Sequence, residues 1–309
     1  MKKIFVALST FAQQSRPPLD LLEHSGFDFA VNPIGKRLAK EEVMARLQGY
    51  DGVVAGLEPY DAQVLSSLPQ LKCISRCGVG VDNVDLIVAK QKGITVLNTP
   101  QVVVQPVAEM TLALIFDCLR KITEHSVAMR QRQWERLTGS QLAGKTAGVV
   151  GLGRIGRRVA ELLQRLDVNV IGFDIKPDLD WAEKHGIALK SLDELLAVCD
   201  IVTVHVALPA GDRWRLGKEE LARMKKGAMI INTARGTFID ENVLVEALKS
   251  GHLSAAGLDV YAQEPYAGPL CDLPNVVLTP HVATLTQESR LAMEIEAVEN
   301  IIKFFQANP

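Results

Sequence analysis

The sequence predicts an α/β fold built from doubly wound parallel sheets. Short runs rich in β-branched and other apolar residues alternate with helical stretches along nearly the whole chain. Strands that alternate with helices of about ten residues pair in parallel through right-handed crossovers. The chain has 309 residues, which is more than the roughly 250–300 at which a single hydrophobic core stops growing. We therefore predict two domains.

The first series of strands and helices ends near Asn98. Its predicted strands are residues 4–8, 27–31, 52–55, 71–75 and 94–98, and its predicted helices are residues 19–25, 40–47 and 61–68. The stretch 107–138 then contains neither Gly nor Pro, and its first half is apolar around most of the helical circumference. This pattern predicts one long, covered helix that either crosses between domains or packs against another subunit.

A second series of strands and helices follows this long stretch. Its predicted strands are residues 146–150, 168–173, 201–206, 228–233, 255–258 and 276–278. Its predicted helices are residues 155–166, 192–198, 218–224 and 241–249, and a final helix is expected at 287–305. Alternation of this kind again indicates a parallel sheet with helices on its faces.

Composition excludes several classes of partner. The formal charge is −2, from 34 Lys and Arg against 36 Asp and Glu, so no basic excess is available for nucleic acid or an anionic membrane. The longest apolar runs are near residues 4–8 and 112–116, far short of the roughly 20 residues that a membrane helix needs. We expect a small-molecule ligand, no nucleic acid and no membrane.

The cysteines and the amino terminus favour a cytoplasmic protein. The five cysteines form no C-x-x-C pair, and no histidine lies at metal-ligand spacing from them, so we expect reduced thiols and no metal site. Lys2 and Lys3 precede an apolar run, but Ser9 and Thr10 interrupt it too early for a signal peptide.

One glycine loop predicts a dinucleotide site. The sequence G-x-G-x-x-G directly follows the predicted strand 146–150 and opens the predicted helix 155–166. The first glycine allows a tight turn, the second lets backbone approach a pyrophosphate, and the third lets the helix pack on the strand. The helix N-terminus adds positive potential. The expected cofactor contacts in this loop are Gly151, Gly153, Arg154, Ile155 and Gly156.

Asp174 ends the next predicted strand, eighteen residues beyond Gly156. Its carboxylate would accept hydrogen bonds from the adenosine ribose hydroxyls and would repel a 2′-phosphate. The predicted cofactor is therefore NAD rather than NADP.

Six ordered motifs carry a resemblance to a known family. They are Arg76-Cys-Gly-Val-Gly-Val-Asp-Asn-Val-Asp85, Asn98-Thr-Pro100, the glycine loop, Asn232-Thr-Ala-Arg-Gly236, Asp259-Val-Tyr-Ala-Gln-Glu-Pro265 and Thr279-Pro-His281. Over nearly the whole chain, the sequence resembles the NAD-dependent D-2-hydroxyacid dehydrogenases, and within them the D-3-phosphoglycerate dehydrogenase branch. The resemblance implies an oxidoreductase whose catalytic residues are Arg235, Glu264 and His281.

The chemistry of these three residue types suits hydride transfer from a secondary alcohol. His281 would take the hydroxyl proton, and return it in the reverse direction, because histidine titrates nearest neutrality. Glu264 would fix the ring and stabilise the imidazolium. Arg235 offers a cationic fork to the substrate carboxylate and to the oxygen where charge develops. Arg235 and His281 each follow an apolar strand, which places them where parallel sheets bind ligands.

The resemblance implies further binding residues. On the cofactor side they are His205, Val206, Thr233, Ala234 and Asp259, the last of these at the nicotinamide carboxamide. Gly78, Val79 and Gly80 follow a predicted strand, and their backbone N–H groups could form a nest for the substrate carboxylate. A plain tight turn is the alternative for these glycines.

Three alternatives remain open at this stage. Residues 101–107 depart from the phosphoglycerate branch, so glyoxylate and hydroxypyruvate are serious alternative substrates, and Arg76 is an uncertain phosphate partner. An alternative from another functional class is a non-catalytic, NAD-sensing adaptor that resembles a corepressor. The presence of all three catalytic residue types disfavours this alternative. Formate dehydrogenases carry Gln where this chain has Glu264, which argues against that activity.

The resemblance also implies how the domains are arranged along the chain. A Rossmann domain, residues 98–285, would be inserted into a flavodoxin-like substrate domain formed by residues 1–97 and 286–309. We expect the short form of the family, without the C-terminal regulatory domain of longer relatives, and a homodimer formed through the dinucleotide domain.

Overall fold

A computed structural model describes residues 1–207 and 214–308. The chain divides into two compact units, residues 1–103 with 284–309 and residues 104–283. Each unit contains one wholly parallel sheet with helices on its faces, as the alternation of strands and helices predicts. In the described part of the chain, no helix combines the length and the apolar character needed to cross a membrane.

The first unit has a five-stranded sheet in the order β2-β1-β3-β4-β5. This is the flavodoxin-like order. The strands are β1 (Lys3–Val6), β2 (Asp28–Val31), β3 (Gly52–Ala55), β4 (Cys73–Arg76) and β5 (Thr95–Leu97). The helices are α1 (Pro17–His24), α2 (Lys40–Arg46), α3 (Ala62–Ser67) and α4 (Leu86–Gln91), and from the far end of the chain α12 (Gln287–Ala307).

The C-terminal helix α12 is part of the core of this first unit. It packs on β3, β4 and α1. Ile301 and Phe305 are buried, and they leave no room for a side chain at Gly52, whose Cβ would lie 2.9 and 2.8 Å from them. The Ser75 hydroxyl of β4 donates a hydrogen bond to the carbonyl of Ala297 at 2.7 Å. Residues more than 200 positions apart in the sequence therefore form one unit.

The second unit has a seven-stranded sheet in the order β12-β11-β10-β9-β6-β7-β8. Its strands are β6 (Thr146–Val150), β7 (Asn169–Phe173), β8 (Ala188–Leu189), β9 (Ile201–Val204), β10 (Met229–Asn232), β11 (Ala255–Leu258) and β12 (Val276–Leu278). Its helices are α5 (Val104–Arg120), α6 (Ile122–Arg130), α7 (Arg154–Gln164), α8 (Leu179–Lys184), α9 (Leu192–Val198), α10 (Lys218–Arg223) and α11 (Glu241–Lys249). Successive residues of β10, such as Ile230 and Ile231, enter separate cores, as expected for a sheet covered on both faces.

The long helix expected over residues 107–138 is wrong in its extent. Helix α5 ends where Lys121 adopts a left-handed conformation with φ of +54°, and α6 ends at Arg130. The Asp117 carboxylate accepts a hydrogen bond from the Thr123 N–H at 2.8 Å, so it helps to start a new helix. The buried face of α5 packs on α7, β10 and β11 of its own unit. Polar capping at Asp117 therefore overrides the apolar periodicity.

Candidate active site

All the sequence motifs of the second unit follow strands of its sheet at the same edge. Because every strand is parallel, the carboxyl ends of β6, β7, β9, β10, β11 and β12 lie along one side. The glycine loop follows β6, Asp174 follows β7, and His205 follows β9. Residues 233–236, 259–264 and 279–283 follow the three neighbouring strands β10, β11 and β12. Ligands bind at this edge of open α/β sheets.

The glycine loop has the backbone geometry that its sequence predicts. Gly151 adopts φ of +96° and donates its N–H to the Phe173 carbonyl at 2.7 Å. A Cβ on Gly156 would overlap the Gly151 carbonyl oxygen, so only glycine lets α7 start this close to the strand. A Cβ on Gly153 would meet nothing within 4 Å. The side that a pyrophosphate would approach is therefore open.

Asp174, which follows the neighbouring strand β7, holds the glycine loop through a hydrogen bond. One carboxylate oxygen accepts the Leu152 N–H at 2.8 Å, and the other accepts the Lys176 N–H at 2.8 Å. A carboxylate has about four lone-pair sites, so it retains acceptor capacity for ribose hydroxyls. Arg154 and Ile155 are the first residues of α7, where backbone N–H groups carry no helical partner. The loop, the helix N-terminus and the acid thus form one continuous surface.

His205 is buried at the end of β9 and stays neutral. Its Nε2 lies 2.8 Å from the Thr203 hydroxyl, and its backbone N–H donates to the Val150 carbonyl at 2.7 Å. Burial lowers the pKa of His205 to about 3. The ring therefore contributes packing and a hydrogen bond next to Gly151 rather than charge. Val206, beside it, is half-buried.

The segment that carries Arg235 is braced by Asn232. The Asn232 side chain donates to the Arg235 carbonyl at 2.8 Å and accepts the Ala234 N–H at 3.0 Å. Arg235 donates from Nη1 to the Ala234 carbonyl at 2.7 Å. Thr233 is buried, and its hydroxyl lies 3.1 Å from that of Thr111 on α5. The motif therefore contains its own brace, which the sequence analysis did not assign to Asn232.

Glu264 and His281 are brought together, as the resemblance implies. The Glu264 Oε2 lies 2.8 Å from His281 Nδ1, and both side chains are partly exposed. The other oxygen of Glu264 accepts the Tyr261 N–H at 3.1 Å, which fixes the carboxylate. Hydrogen bonding at Nδ1 leaves Nε2 as the ring nitrogen available for proton transfer.

The buried carboxylate of Asp259 holds the turn that presents His281. Asp259 is fully buried, and its Oδ1 accepts the Thr279 hydroxyl at 2.6 Å and the Val282 N–H at 2.9 Å. Its Oδ2 accepts the Ala283 N–H at 2.9 Å. His281 lies between these donors with φ of +54°, a conformation that a residue with a Cβ rarely adopts. Asp259 therefore positions His281.

Tyr261 is a second residue of this turn that the sequence analysis missed. Its hydroxyl donates toward the carbonyls of Thr279, at 2.9 Å, and Leu258, at 3.2 Å, while its ring stacks on Tyr266. A Cβ on Gly236 would overlap the backbone of Tyr261. Tyr261 thus links the end of β11 to both the His281 and the Arg235 segments. Its place inside the Asp259-to-Pro265 motif was the available signal.

In the first unit, the glycine pair after β4 forms a fixed turn. Gly78 has φ of +133° and donates its N–H to the buried Thr99 hydroxyl at 2.8 Å, and the Thr99 N–H donates back to the Gly78 carbonyl at 3.0 Å. Asn98 donates to the Val79 carbonyl at 2.8 Å. The Gly78 N–H is therefore already used. Val79 is 38% exposed, so it presents the accessible part of this turn.

Metal ligands do not cluster in the part of the chain that the structure describes. Across residues 1–207 and 214–308, no group of three His, Cys, Asp or Glu side chains could hold a metal ion. The candidate proton-transfer group is an imidazole paired with a carboxylate.

The neutral state of His205 predicts how acid destabilises the second unit. Because the pKa of His205 is about 3 in the folded protein and 6.5 ordinarily, the unfolded chain binds the proton more readily between these values. Stability from this group is present above about pH 6.5 and is lost as the pH falls toward 3. We expect His205→Asn to reduce the pH slope of the unfolding free energy by up to about 1.4 kcal/mol per pH unit.

The three tryptophans all lie in the second unit, so urea unfolding followed by their fluorescence measures this slope. His24→Asn, at an exposed histidine of the first unit, is the control. Equal slopes for wild type and His205→Asn would contradict the neutral, buried assignment.

Comparison with known proteins identifies the family. The family described as D-isomer specific 2-hydroxyacid dehydrogenase, NAD binding domain, matches residues 112–283. A D-3-phosphoglycerate dehydrogenase of Archaeoglobus fulgidus is 37% identical over 300 residues, which are 96% of this chain and 56% of that protein. The chain thus spans about half the length of this and the other curated D-3-phosphoglycerate dehydrogenases that it matches.

Glyoxylate reductases are similar over more of their length. That of Thermofilum pendens is 40% identical over 274 residues, which are 85% of this chain and 81% of that protein. The crystal structure of a glyoxylate reductase from Paecilomyes thermophila superposes with a TM-score of 0.87 and 31% identity, covering 97% of this chain and 94% of the other. This chain belongs to the D-isomer specific 2-hydroxyacid dehydrogenase family and contains its NAD-binding domain.

Proposed function

We propose that the protein transfers a hydride between NAD(H) and a D-2-hydroxy acid or its 2-oxo acid. The observation that carries the proposal is the His281–Glu264 pair, 2.8 Å apart, at the same sheet edge as the glycine loop. A hydroxyl proton must be lost when a carbinol carbon gives up a hydride, and a positioned histidine can accept it. The cofactor, when bound, supplies the hydride acceptor or donor.

His281 and Arg235 divide the work on the substrate. During oxidation, the C2–H bond breaks as a hydride leaves, the C2 oxygen forms a carbonyl, and its proton passes to Nε2 of His281. Glu264 at Nδ1 stabilises the resulting imidazolium. Arg235 binds the substrate carboxylate and the C2 oxygen, where negative charge develops in the reverse direction. In reduction, the same Nε2 returns the proton.

The remaining predicted contacts complete the proposal. Gly151, Gly153, Arg154, Ile155 and Gly156 hold the pyrophosphate, and Asp174 binds the ribose and favours NAD over NADP. His205, Val206, Thr233, Ala234 and Asp259 line the rest of the cofactor site. The turn Gly78, Val79 and Gly80 of the first unit binds the substrate carboxylate.

Two substrate classes are supported by the relatives. Curated relatives named D-3-phosphoglycerate dehydrogenase favour 3-phosphoglycerate. Relatives named glyoxylate reductase, matched over 81% and 77% of their length, favour glyoxylate, and hydroxypyruvate is the related small acid that the sequence leaves open. The paired His281 and Glu264 argue against a purely NAD-sensing adaptor, because such a protein needs no proton-transfer pair.

We further propose a cytoplasmic homodimer formed through the second unit. Large apolar side chains of α5, α6 and the segment after them are exposed: Phe116, Ile122, Val127, Met129, Trp134 and Leu137. Trp134 is 81% exposed and lines one surface depression with Met129 and Leu137, and exposed apolar side chains grouped in this way are typical of a subunit interface. The five cysteines form no disulfide, in keeping with a reducing compartment.

The catalytic assignment predicts the behaviour of two variants. His281→Asn and Arg235→Ala should each lower kcat/KM by at least about 10²-fold, because general-base and electrostatic assistance are lost. Steady-state assays with glyoxylate, hydroxypyruvate and pyruvate, each with NADH and with NADPH, measure the loss of kcat/KM and the cofactor preference together. Exposed His24→Asn and Arg165→Ala are the matched controls. Near wild-type turnover in either site variant would remove that residue from the mechanism.

The Asp259 bonds predict a separate variant. Asp259→Asn exchanges one acceptor oxygen for an amide donor, so the turn at His281 loosens and kcat falls by about 10²-fold, as for a catalytic group displaced by about 1 Å. Fluorescence titration should find NADH affinity changed much less than kcat. Exposed Asp272→Asn is the control. If the variant bound NADH weakly but kept its kcat at saturating NADH, Asp259 would serve only as a cofactor contact and would not position His281.

The dimer proposal predicts the mass of an interface variant. A double substitution, Met129→Asp with Trp134→Asp, places two charges in the exposed apolar surface, so we expect a monomer by light scattering after size exclusion. Val198→Asp, at an exposed apolar residue of α9, should leave the mass unchanged. A monomeric wild type, or a double variant that remains dimeric, would contradict this interface.

A further inference from the structure

Leu152, between the first two glycines of the glycine loop, is held from two different elements. Its N–H donates to the carboxylate of Asp174 at 2.8 Å, and its carbonyl accepts the Nε–H of Arg157, near the start of α7, at 2.8 Å. Its side chain is buried, and a Cβ on Gly172 of β7 would lie only 2.7 Å from it. The core and two polar side chains therefore fix this residue together.

The guanidinium of Arg157 also reaches the segment that follows Asp174. Its Nη2 lies 3.1 Å from the carboxylate of Asp178, and its central carbon lies 4.8 Å from the ring centroid of Trp181. Asp178 is the N-cap of α8 and accepts the Trp181 N–H at 3.1 Å. One planar cation thus contacts a carbonyl, a carboxylate and an aromatic face, a combination that the ammonium of lysine does not reproduce.

Further contacts attach α8 to α7. The Trp181 ring stacks on the ring of His185 with centroids 4.5 Å apart, and Gln164, the last residue of α7, donates to the His185 carbonyl at 2.9 Å. Arg157 thus holds the start of α8, and Gln164 holds the residue after its end. Both ends of α8 are therefore attached to the helix that the glycine loop begins.

An exposed ion pair alone would not fix the position of this segment. The Arg157 and Asp178 side chains are 31% and 46% exposed, and such pairs typically contribute little to stability. The bond from Nε to the Leu152 carbonyl is different, because it acts on the glycine loop itself. With Asp174 on its N–H and Arg157 on its carbonyl, Leu152 cannot turn without breaking a charge-assisted hydrogen bond.

We propose that Arg157 is a positioning residue for the cofactor, and that with Asp178 it fixes the spacing between the glycine loop and Asp174. A dinucleotide must place its pyrophosphate at the loop and its adenosine ribose at the acid at the same time. Affinity for a ligand that spans both positions falls when the protein must order them on binding. A ligand that reaches only one of them avoids this loss. The inference rests on the proposed roles of the loop and of Asp174 in binding NAD.

Binding of ADP-ribose, which has the pyrophosphate and both riboses of NAD but cannot transfer a hydride, tests the proposal. Arg157→Met removes the donors and keeps an apolar stem on Trp181, so calorimetry should find the Kd for ADP-ribose raised at least about tenfold, worth 1.4 kcal/mol. The control is Arg158→Met on the same helix, since Arg158 is similarly exposed and binds Glu161 at 3.1 Å and Gln105 at 2.8 Å. An unchanged Kd in folded Arg157→Met overturns the proposal.

Two conservative variants separate positioning from simple attraction of the phosphates. Arg157→Lys keeps the charge but not the planar fork, so its Kd for ADP-ribose should lie within about threefold of that of Arg157→Met. A wild-type Kd in Arg157→Lys would show that charge alone suffices and would overturn the proposal. Asp178→Asn keeps the N-cap oxygen but loses the ionic partner, so we expect a Kd raised about threefold. Exposed Asp180→Asn on α8 is its control, and an unchanged Kd in Asp178→Asn overturns the role of Asp178.

Reduced nicotinamide mononucleotide, which lacks the adenosine half, separates positioning from a general loss of structure. In Arg157→Met, KM for NADH should rise with the Kd for ADP-ribose, while kcat at saturating NADH stays within about twofold of wild type. With the mononucleotide, kcat/KM should also stay within about twofold, because this donor does not span the two positions. A proportional loss with both donors overturns the proposal.

Thermal unfolding checks that each variant is folded. Should Arg157→Met fail to fold, Arg157→Lys and Asp178→Asn still decide. Absence of turnover with every acid, with ADP-ribose binding that depends on Arg157 as expected, would refute the proposed activity and leave the proposal for Arg157 standing. A wild-type protein that does not bind ADP-ribose would overturn both.

Discussion

The hydrogen bonds to the buried carboxylate of Asp259 connect the sheet of the second unit to its candidate chemistry. Asp259 directly follows β11, and its backbone N–H donates to the carbonyl of Asn232 on β10 at 3.0 Å. Its carboxylate then binds three donors of the segment after β12. Burial of this carboxylate without such donors would destabilise the fold by several kcal/mol. The carboxylate therefore holds residues 279–283 in place, and their donors hold the carboxylate. His281 has its orientation because this segment cannot relax.

The same principle, a polar side chain that fixes backbone at a strand end, recurs along this edge. Asn232 braces the segment after β10, and Asp174 braces the loop after β6. Each brace comes from a residue at the end of a strand, whose own position the sheet holds rigidly. Side chains that reach ligand can therefore lie on loops and still be ordered. This division of labour explains why these motifs contain bracing polar residues besides the three proposed catalytic ones.

Much of this could be predicted from the sequence because the signals are local. The glycine loop, Asp174 and the parallel alternation need only nearby residues, and the structure has the predicted strands in two parallel sheets. The break at Lys121 was missed because one side chain, Asp117, competes with apolar periodicity. The role of Asp259 could not be predicted, because its donors are 20 to 24 positions away in sequence. The catalytic and binding roles of individual residues stay predictions.

The groups that could bind anions differ between the two units. In the second unit, the glycine loop offers backbone N–H groups and a helix N-terminus, and the carboxylate of Asp174 accepts the Leu152 N–H of that loop. In the first unit, the guanidinium of Arg290 donates to the buried carboxylate of Glu294 at 2.8 Å. Backbone N–H groups are thus open where a pyrophosphate is expected, whereas the Arg290 guanidinium already has a carboxylate partner. A near-zero net charge for the chain conceals this contrast, because it sums charges that the fold keeps apart.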